Sequence, residues 1–111
     1  MQFLILGYDG NDEGAQARRQ EARPKHLAMG GELLTAGNFW YGAALLDDDK
    51  NMIGSSLVMD FPSREELDAY LKVEPYVVGD VWKTVEVRPC SVRNPWQFSR
   101  PQEFFDDRTH K

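Results

Sequence analysis

The chain has 111 residues but only one cysteine, Cys90, and two histidines. A lone cysteine excludes an internal disulfide, and with no histidine or second cysteine beside it Cys90 reads as a small apolar filler at a strand end. No apolar run approaches the ~20 residues that span a bilayer, and no basic segment leads into an apolar stretch at the N-terminus. A cytoplasmic protein without membrane association is therefore the expectation. Positive charge is scarce too. Thirteen Lys and Arg against 18 Asp and Glu leave a formal charge of −5, which argues against a nucleic-acid or anionic-membrane partner. Phosphate-binding signatures are missing: Gly7, Gly10 and Gly14 lack the dinucleotide spacing, and neither a P-loop nor a nucleophile elbow occurs. The run Asp47 to Asp49 lacks the glycine and terminal glutamate of a calcium loop and reads as a solvated hairpin tip. With histidine and carboxylates widely spaced and no local ligand signature, neither a metal nor another cofactor is expected.

What is present suffices for one compact domain, since 41% of the residues are apolar and this length buries a single core. Gln2 to Tyr8 is apolar at nearly every position, with Phe3 and Ile5 on one face and Leu4, Leu6 and Tyr8 on the other, the pattern of a strand covered on both sides. After the turn Asp9-Gly10-Asn11-Asp12, a polar, alanine-rich helix is predicted from Glu13 to about Met29. Pro24 should kink or restart it and Gly30-Gly31 should end it. Glu32 to Trp40 reads as a second strand and Met52 to Phe61 as a third, with Ile53, Leu57, Met59 and Phe61 sharing a face. Ser63-Arg64-Glu65-Glu66 is a capping box opening a helix with Leu67, Tyr70 and Leu71 at one-face spacing, stopped by Pro75. Asp80 to Arg88 is the last strand, with Val81, Val85 and Val87 on one face. The order is βαββαβ, an α+β pattern. From Ser91 the composition turns polar, interleaved with Trp96, Phe98, Phe104 and Phe105, as in a surface-docked extension that frays at Arg108 to Lys111.

Candidate chemistry gathers on the first helix. Arg19, Arg23 and His26 are spaced by four and three residues, so on one continuous helix they share a face. Arginine suits an anionic oxygen ligand through its two-point fork; the alternative is a solvated face paired with Glu21 or Glu13. His26 is a candidate general acid/base if a carboxylate fixes its tautomer and stabilises the protonated ring, and an ordinary structural histidine otherwise. Two carboxylates are candidates for that task. Glu74 sits where a helix C-terminus is predicted, an unfavourable place for an acid in the helix dipole. Asp9 follows the first strand, where it could equally be a turn-forming residue before Gly10. Ser55, after Gly54 on the third strand, could orient a ligand or simply bond locally. Phe39, Trp40, Tyr76 and Trp82 could wall a pocket for a small ring or belong to the core or a subunit interface.

Arg23-Pro24-Lys25-His26-Leu27, Leu33-Leu34-Thr35-Ala36-Gly37, Gly54-Ser55, and Glu74-Pro75-Tyr76-Val77-Val78 through Val87-Arg88-Pro89 resemble the YciI (YCII-related) family over residues 1–90, leaving 91–111 as an extension. The resemblance implies a ferredoxin-like fold, with two helices on one face of an antiparallel sheet, that pairs into a dimeric α/β barrel. It also implies a cleft holding a histidine and an aspartate as acid and base. Carried over, the histidine falls on His26, the first-strand aspartate on Asp9, the helix arginines on Arg19 and Arg23, and the Asp-Pro aspartate on Glu74. The sequence departs from the family in having Glu-Pro for Asp-Pro, a shorter segment between His26 and Leu33, and the tail after Pro89. The expected function is cofactor-independent lyase or isomerase chemistry on a small oxygenated or aromatic acid. His26 would be acid/base, Glu74 or Asp9 its carboxylate, and Arg19 with Arg23 an anion clamp, with Ser55 and Tyr76 touching the ligand. The alternative is a non-catalytic module that binds a small ligand or a partner in the same pocket. A homodimer is expected, because one layer of helices leaves Leu4, Leu6 and Tyr8 uncovered.

Overall fold

A computed structural model describes residues 1–103; the tail positions Phe104, Phe105 and Arg108 to Lys111 lie outside the described residues. The elements run β1 (Gln2–Asp9), α1 (Ala15–Ala36), β2 (Phe39–Leu46), β3 (Met52–Asp60), α2 (Arg64–Val73), α3 (Pro75–Val78) and β4 (Trp82–Cys90). The strands form one antiparallel sheet in the order β2-β3-β1-β4, which with this element order is the ferredoxin-like arrangement. Phe3, Ile5, Leu57, Met59, Phe61, Leu67, Tyr76, Val81 and Trp82 form the core between one face of the sheet and the helices. No helix among the described residues is long and apolar enough to cross a membrane.

The largest departure from the sequence reading is the length of α1. Gly30-Gly31 does not end it, and Glu32 to Ala36, expected in a strand, is its last turn. Two mid-helix glycines cost about 1 kcal/mol each relative to alanine. Tertiary packing offsets this, since the Phe39 ring lies in van der Waals contact distance of a Cβ placed at Gly30 and Leu33 packs on the core. The true stop is Gly37 at φ 89°. Its N–H donates to Leu34 O at 3.2 Å and that of Asn38 to Leu33 O at 2.9 Å, a Schellman closure that needs the left-handed region. Pro24 does not restart the helix, which is one element through it.

Smaller differences position the site. Pro75 does not merely stop α2: the chain breaks at Glu74 (φ −64°, ψ 126°) and Pro75 opens the one-turn α3. Ser63 caps α2 as expected, accepting from Glu66 N–H at 3.2 Å. The β1–β4 register slips between Tyr8 and Asp9, which sets Trp82 opposite Asp9 and lays its indole over Gly7. A Cβ at Gly7 would meet the indole at 2.3 Å, so only glycine fits. Ile53, expected with the inward residues of β3, is 42% exposed at the strand start. The Asp47 tip is a solvated hairpin in which Asp47 accepts from the N–H groups of Asp49 and Asn51.

The two faces of β1 differ. Phe3 and Ile5 are buried under the helices, whereas Leu4 and Leu6 are half-covered and Tyr8 is exposed. After β4 the chain runs across the sheet from edge to edge. Val92 N–H donates to Gln2 Oε1 at 2.8 Å, and Trp96, in the short 3₁₀ turn Pro95–Gln97, meets Trp40 of β2 edge-on at 5.4 Å.

Candidate active site

A cleft of about 430 Å³ opens between α1 and β2, with Arg19, Arg23, His26, Leu57, Ser55 and Tyr76 among its lining residues. The continuity of α1 puts Arg19, Arg23 and His26 along one face, and α3 supplies the opposing group. Glu74, the N-cap of α3, accepts from Tyr76 N–H at 2.7 Å through Oε2. Glu74 is thus the C-cap of α2, at the helix end where the sequence places it, and the N-cap of α3 as well. At the N-terminus of the next helix its charge meets the favourable end of the dipole and satisfies a free amide. Its other oxygen, Oε1, contacts His26 Nδ1 directly.

Burial divides the pair. The Glu74 side chain is 1% exposed and that of His26 15%. With Nδ1 held by the carboxylate, Nε2 is the imidazole nitrogen without a hydrogen-bond partner among the described residues. Tyr76 stacks on the imidazole, with centroids 3.8 Å apart and planes 11° from parallel, and Trp82 meets it edge-on at 6.2 Å. The ring is thus clamped in orientation by a carboxylate and two aromatic groups. Burial pushes the Tyr76 phenol above its usual range, partly offset by Arg19 and Arg23, so the hydroxyl stays protonated, and it carries no partner among the described residues.

Arg19 is used differently. It is 2% exposed, and its Nη2 donates to Gly54 O and Ser55 Oγ, both at 2.8 Å. Its Nη1 lies 3.4 Å from Asp9 Oδ1, and its guanidinium carbon sits 4.6 Å from the Tyr76 ring centre. Ser55 Oγ also accepts from the Trp82 indole N–H at 3.3 Å. The structure therefore brings Asp9, Arg19, Ser55 and Trp82 into one buried knot, in which Asp9 Oδ2 and Arg19 Nε have no partner among the described residues. Asp9 contacts Arg19 rather than His26. Burial raises its pKa, while Arg19 and then Arg18 oppose the rise.

Arg23 is half-buried in the cleft wall and has neither hydrogen bond nor ion pair among the described residues. Sequence reasoning did not find the Asp12–Arg18 pair, at 2.7 and 2.8 Å, which draws Asp12 well below the usual carboxylate range through the Arg18 hydrogen bonds first. No spacing rule signals a bond from a turn into a helix. Among the described residues no group of three His, Cys, Asp or Glu is placed to hold a metal.

Comparisons with known proteins bear on the family and the fold. The model of the YCII-related domain matches residues 1–91. Protein YciI of Escherichia coli is 32% identical over 98 residues, which span 80% of this chain and 95% of that protein. Protein YciI of Shigella flexneri matches to the same extent. Among solved structures, 5-chloro-2-hydroxyhydroquinone dehydrochlorinase (TftG) of Burkholderia phenoliruptrix, in complex with 2,5-dihydroxybenzoquinone, superposes with a TM-score of 0.70. It is 26% identical, over 82% of this chain and 94% of that one. A dimeric ferredoxin-like protein of unknown function from a Jannaschia species, 16% identical, superposes at 0.51 over 82% of this chain and 98% of its own, a likeness of fold alone. The chain belongs to the YCII-related family, the YciI-like proteins.

Proposed function

We propose that this protein is a cofactor-independent acid/base enzyme of lyase or isomerase type, acting on a small oxygenated or aromatic acid, with His26 as the proton-transferring group and Glu74 as its orienting carboxylate. One observation carries the reading: His26 Nδ1 is held by a buried carboxylate while Nε2 has no hydrogen-bond partner among the described residues, in a ligand-sized cleft. A carboxylate on Nδ1 fixes the tautomer that leaves Nε2 as the base and stabilises the imidazolium once a proton arrives. In an elimination, Nε2 takes a substrate proton, the freed electron pair forms the new double bond, and the leaving group departs with its bonding electrons. In an isomerisation the same proton is returned at another atom. The dehydrochlorination named for the family neighbour TftG is chemistry of this type and supports the choice.

The test begins with halide release and product spectra on 5-chloro-2-hydroxyhydroquinone and a panel of small hydroxylated ring acids. With a substrate in hand, His26→Ala should lower kcat/KM by about 10²–10⁴-fold with the fold retained by circular dichroism, and abolish the limb of the pH profile that reports imidazole protonation. Glu74→Gln, which keeps an acceptor for Tyr76 N–H but removes the charge, should lose less. A folded His26→Ala protein reacting at the wild-type rate removes His26 from the mechanism. The same cleft binding these acids without any turnover would favour a binding module instead.

The protein works as a homodimer in this reading, with a second copy covering Leu4, Leu6, Tyr8 and Tyr41 on the open face of the sheet. The dimeric state of the Jannaschia protein supports it. Light scattering at micromolar concentration should give twice the chain mass; a monomer would overturn it.

A further inference from the structure

We infer that the cleft takes a flat ring carrying its negative charge along one edge, with Arg23 as its only countercharge. This deepens, and rests on, the reading of the cleft as the acid/base site. The two arginines on the cleft face of α1 differ in what they can still do. Arg19 spends Nη1 and Nη2 on Gly54, Ser55 and Asp9 inside the protein, and its Nε is buried without a partner among the described residues; at 2% exposure it has no accessible fork to offer a ligand. Arg23, one turn further, keeps its whole donor set among the described residues and lines the cleft beside His26, three residues on. Side chains so spaced sit about 5–6 Å apart at Cβ. An oxyanion on Arg23 therefore brings the neighbouring atoms of the same small ring to His26 Nε2. With one cation available, a second charge at the far end of a ligand would be desolvated without a partner, which costs more than it gains.

Shape follows from β2. Gly42 and Ala44 pair with Leu57 and Ser55, so this side of the strand carries almost no side chain. Phe39 lies over Gly42 so closely that an added Cβ would sit 2.9 Å from its ring. The wall is therefore low and flat. Planar apolar surface faced by one guanidinium suits a phenolate or ring enolate, whose charge is delocalised in the plane, better than an aliphatic diacid.

The test uses 4-nitrophenol, whose ionised form absorbs in the visible, titrated with the full chain. The wild-type protein should bind the phenolate in preference to the phenol, lowering the bound chromophore's apparent pKa. Arg23→Gln should bind the phenolate about tenfold more weakly or worse and lose that shift, yet bind uncharged nitrobenzene as the wild type does. Arg23→Lys should recover part of the shift. Succinate and terephthalate should bind about tenfold more weakly than the phenolate, or worse. No phenolate binding by the wild type, equal phenolate affinity in Arg23→Gln, or succinate binding as tightly as the phenolate would overturn the inference. These outcomes are separate from the His26 turnover test. Undiminished turnover in His26→Ala with the Arg23 pattern intact would sink the acid/base reading and leave the ligand class standing.

Discussion

Two neighbouring turns of α1 carry chemically similar residues to opposite ends. Around Arg19 the side chains of Asp9, Ser55 and Trp82 close on one another out of water; around Arg23 and His26 the polar groups are oriented but left with capacity to spare. The difference lies in what stands across from each turn. Arg19 faces the middle of the sheet, where the backbone of Gly54 supplies a carbonyl acceptor at 2.8 Å. His26 faces α3, which supplies one carboxylate and no second partner for the imidazole. The closed knot fixes the place of Tyr76 through the guanidinium on its ring, and Tyr76 in turn fixes the plane of His26. A buried polar cluster thus serves as scaffold for one open to the cleft, and the comparison warns against reading two arginines on one helix face as one clamp.

The contrast should be largest in stability. Arg19→Met removes the partner of a buried carboxylate and strands the Gly54 carbonyl, a change expected to cost about 3–5 kcal/mol. Arg23→Met removes no hydrogen bond or ion pair among the described residues and should stay within about 0.5 kcal/mol of the wild type. Urea unfolding of the two variants beside the wild type makes the measurement. Similar losses for both, or none for Arg19→Met, would erase the division into scaffold and site.

Much of this was legible in the chain. The strand of Phe3 and Ile5, the Ser63 cap and the βαββαβ order follow from spacing and capping chemistry, whereas the candidacy of His26 with Glu74 or Asp9 rests on residue type and the family resemblance. Three features were not, and each has a physical cause. Gly30-Gly31 has the local signature of a helix end, and only the contacts made by Phe39 and Leu33 show why the helix continues. The slip between Tyr8 and Asp9 that seats Trp82 over Gly7 is a pairing between distant strands, invisible to periodicity within either. The division of labour between Arg19 and Arg23 depends on which acceptors the sheet presents, and helix spacing places both on the same face without distinguishing them. Pro75 carried a further ambiguity: proline is as compatible with the first turn of a helix as with the end of one, and here it opens α3 and turns Glu74 into a cap.

The smallest expected effect tests the electrostatics of the closed knot. Burial raises the pKa of Asp9 above its ordinary value of 3.8 even with Arg19 beside it, so the folded protein binds the Asp9 proton more readily than the unfolded chain does. Stability contributed by this group therefore rises as pH falls through the raised pKa, levels off below 3.8, and is lost again as pH climbs, the reverse of a carboxylate whose pKa is lowered on folding. Asp12 and Asp80 are of that second kind, held down first by their hydrogen bonds to Arg18 and Lys83, and their contributions fade on acidification. Overall acid stability mixes the two signs, so the informative quantity is the difference between the wild type and Asp9→Asn, in which the other groups cancel. Measured as Tm from mildly acidic to neutral pH, the wild type should gain on the variant as pH falls. A difference that shrinks on acidification would mean that the Arg19 pairing outweighs burial at Asp9, and that the knot is held by its ion pair rather than by the hydrogen bonds of Arg19 to Gly54 and Ser55.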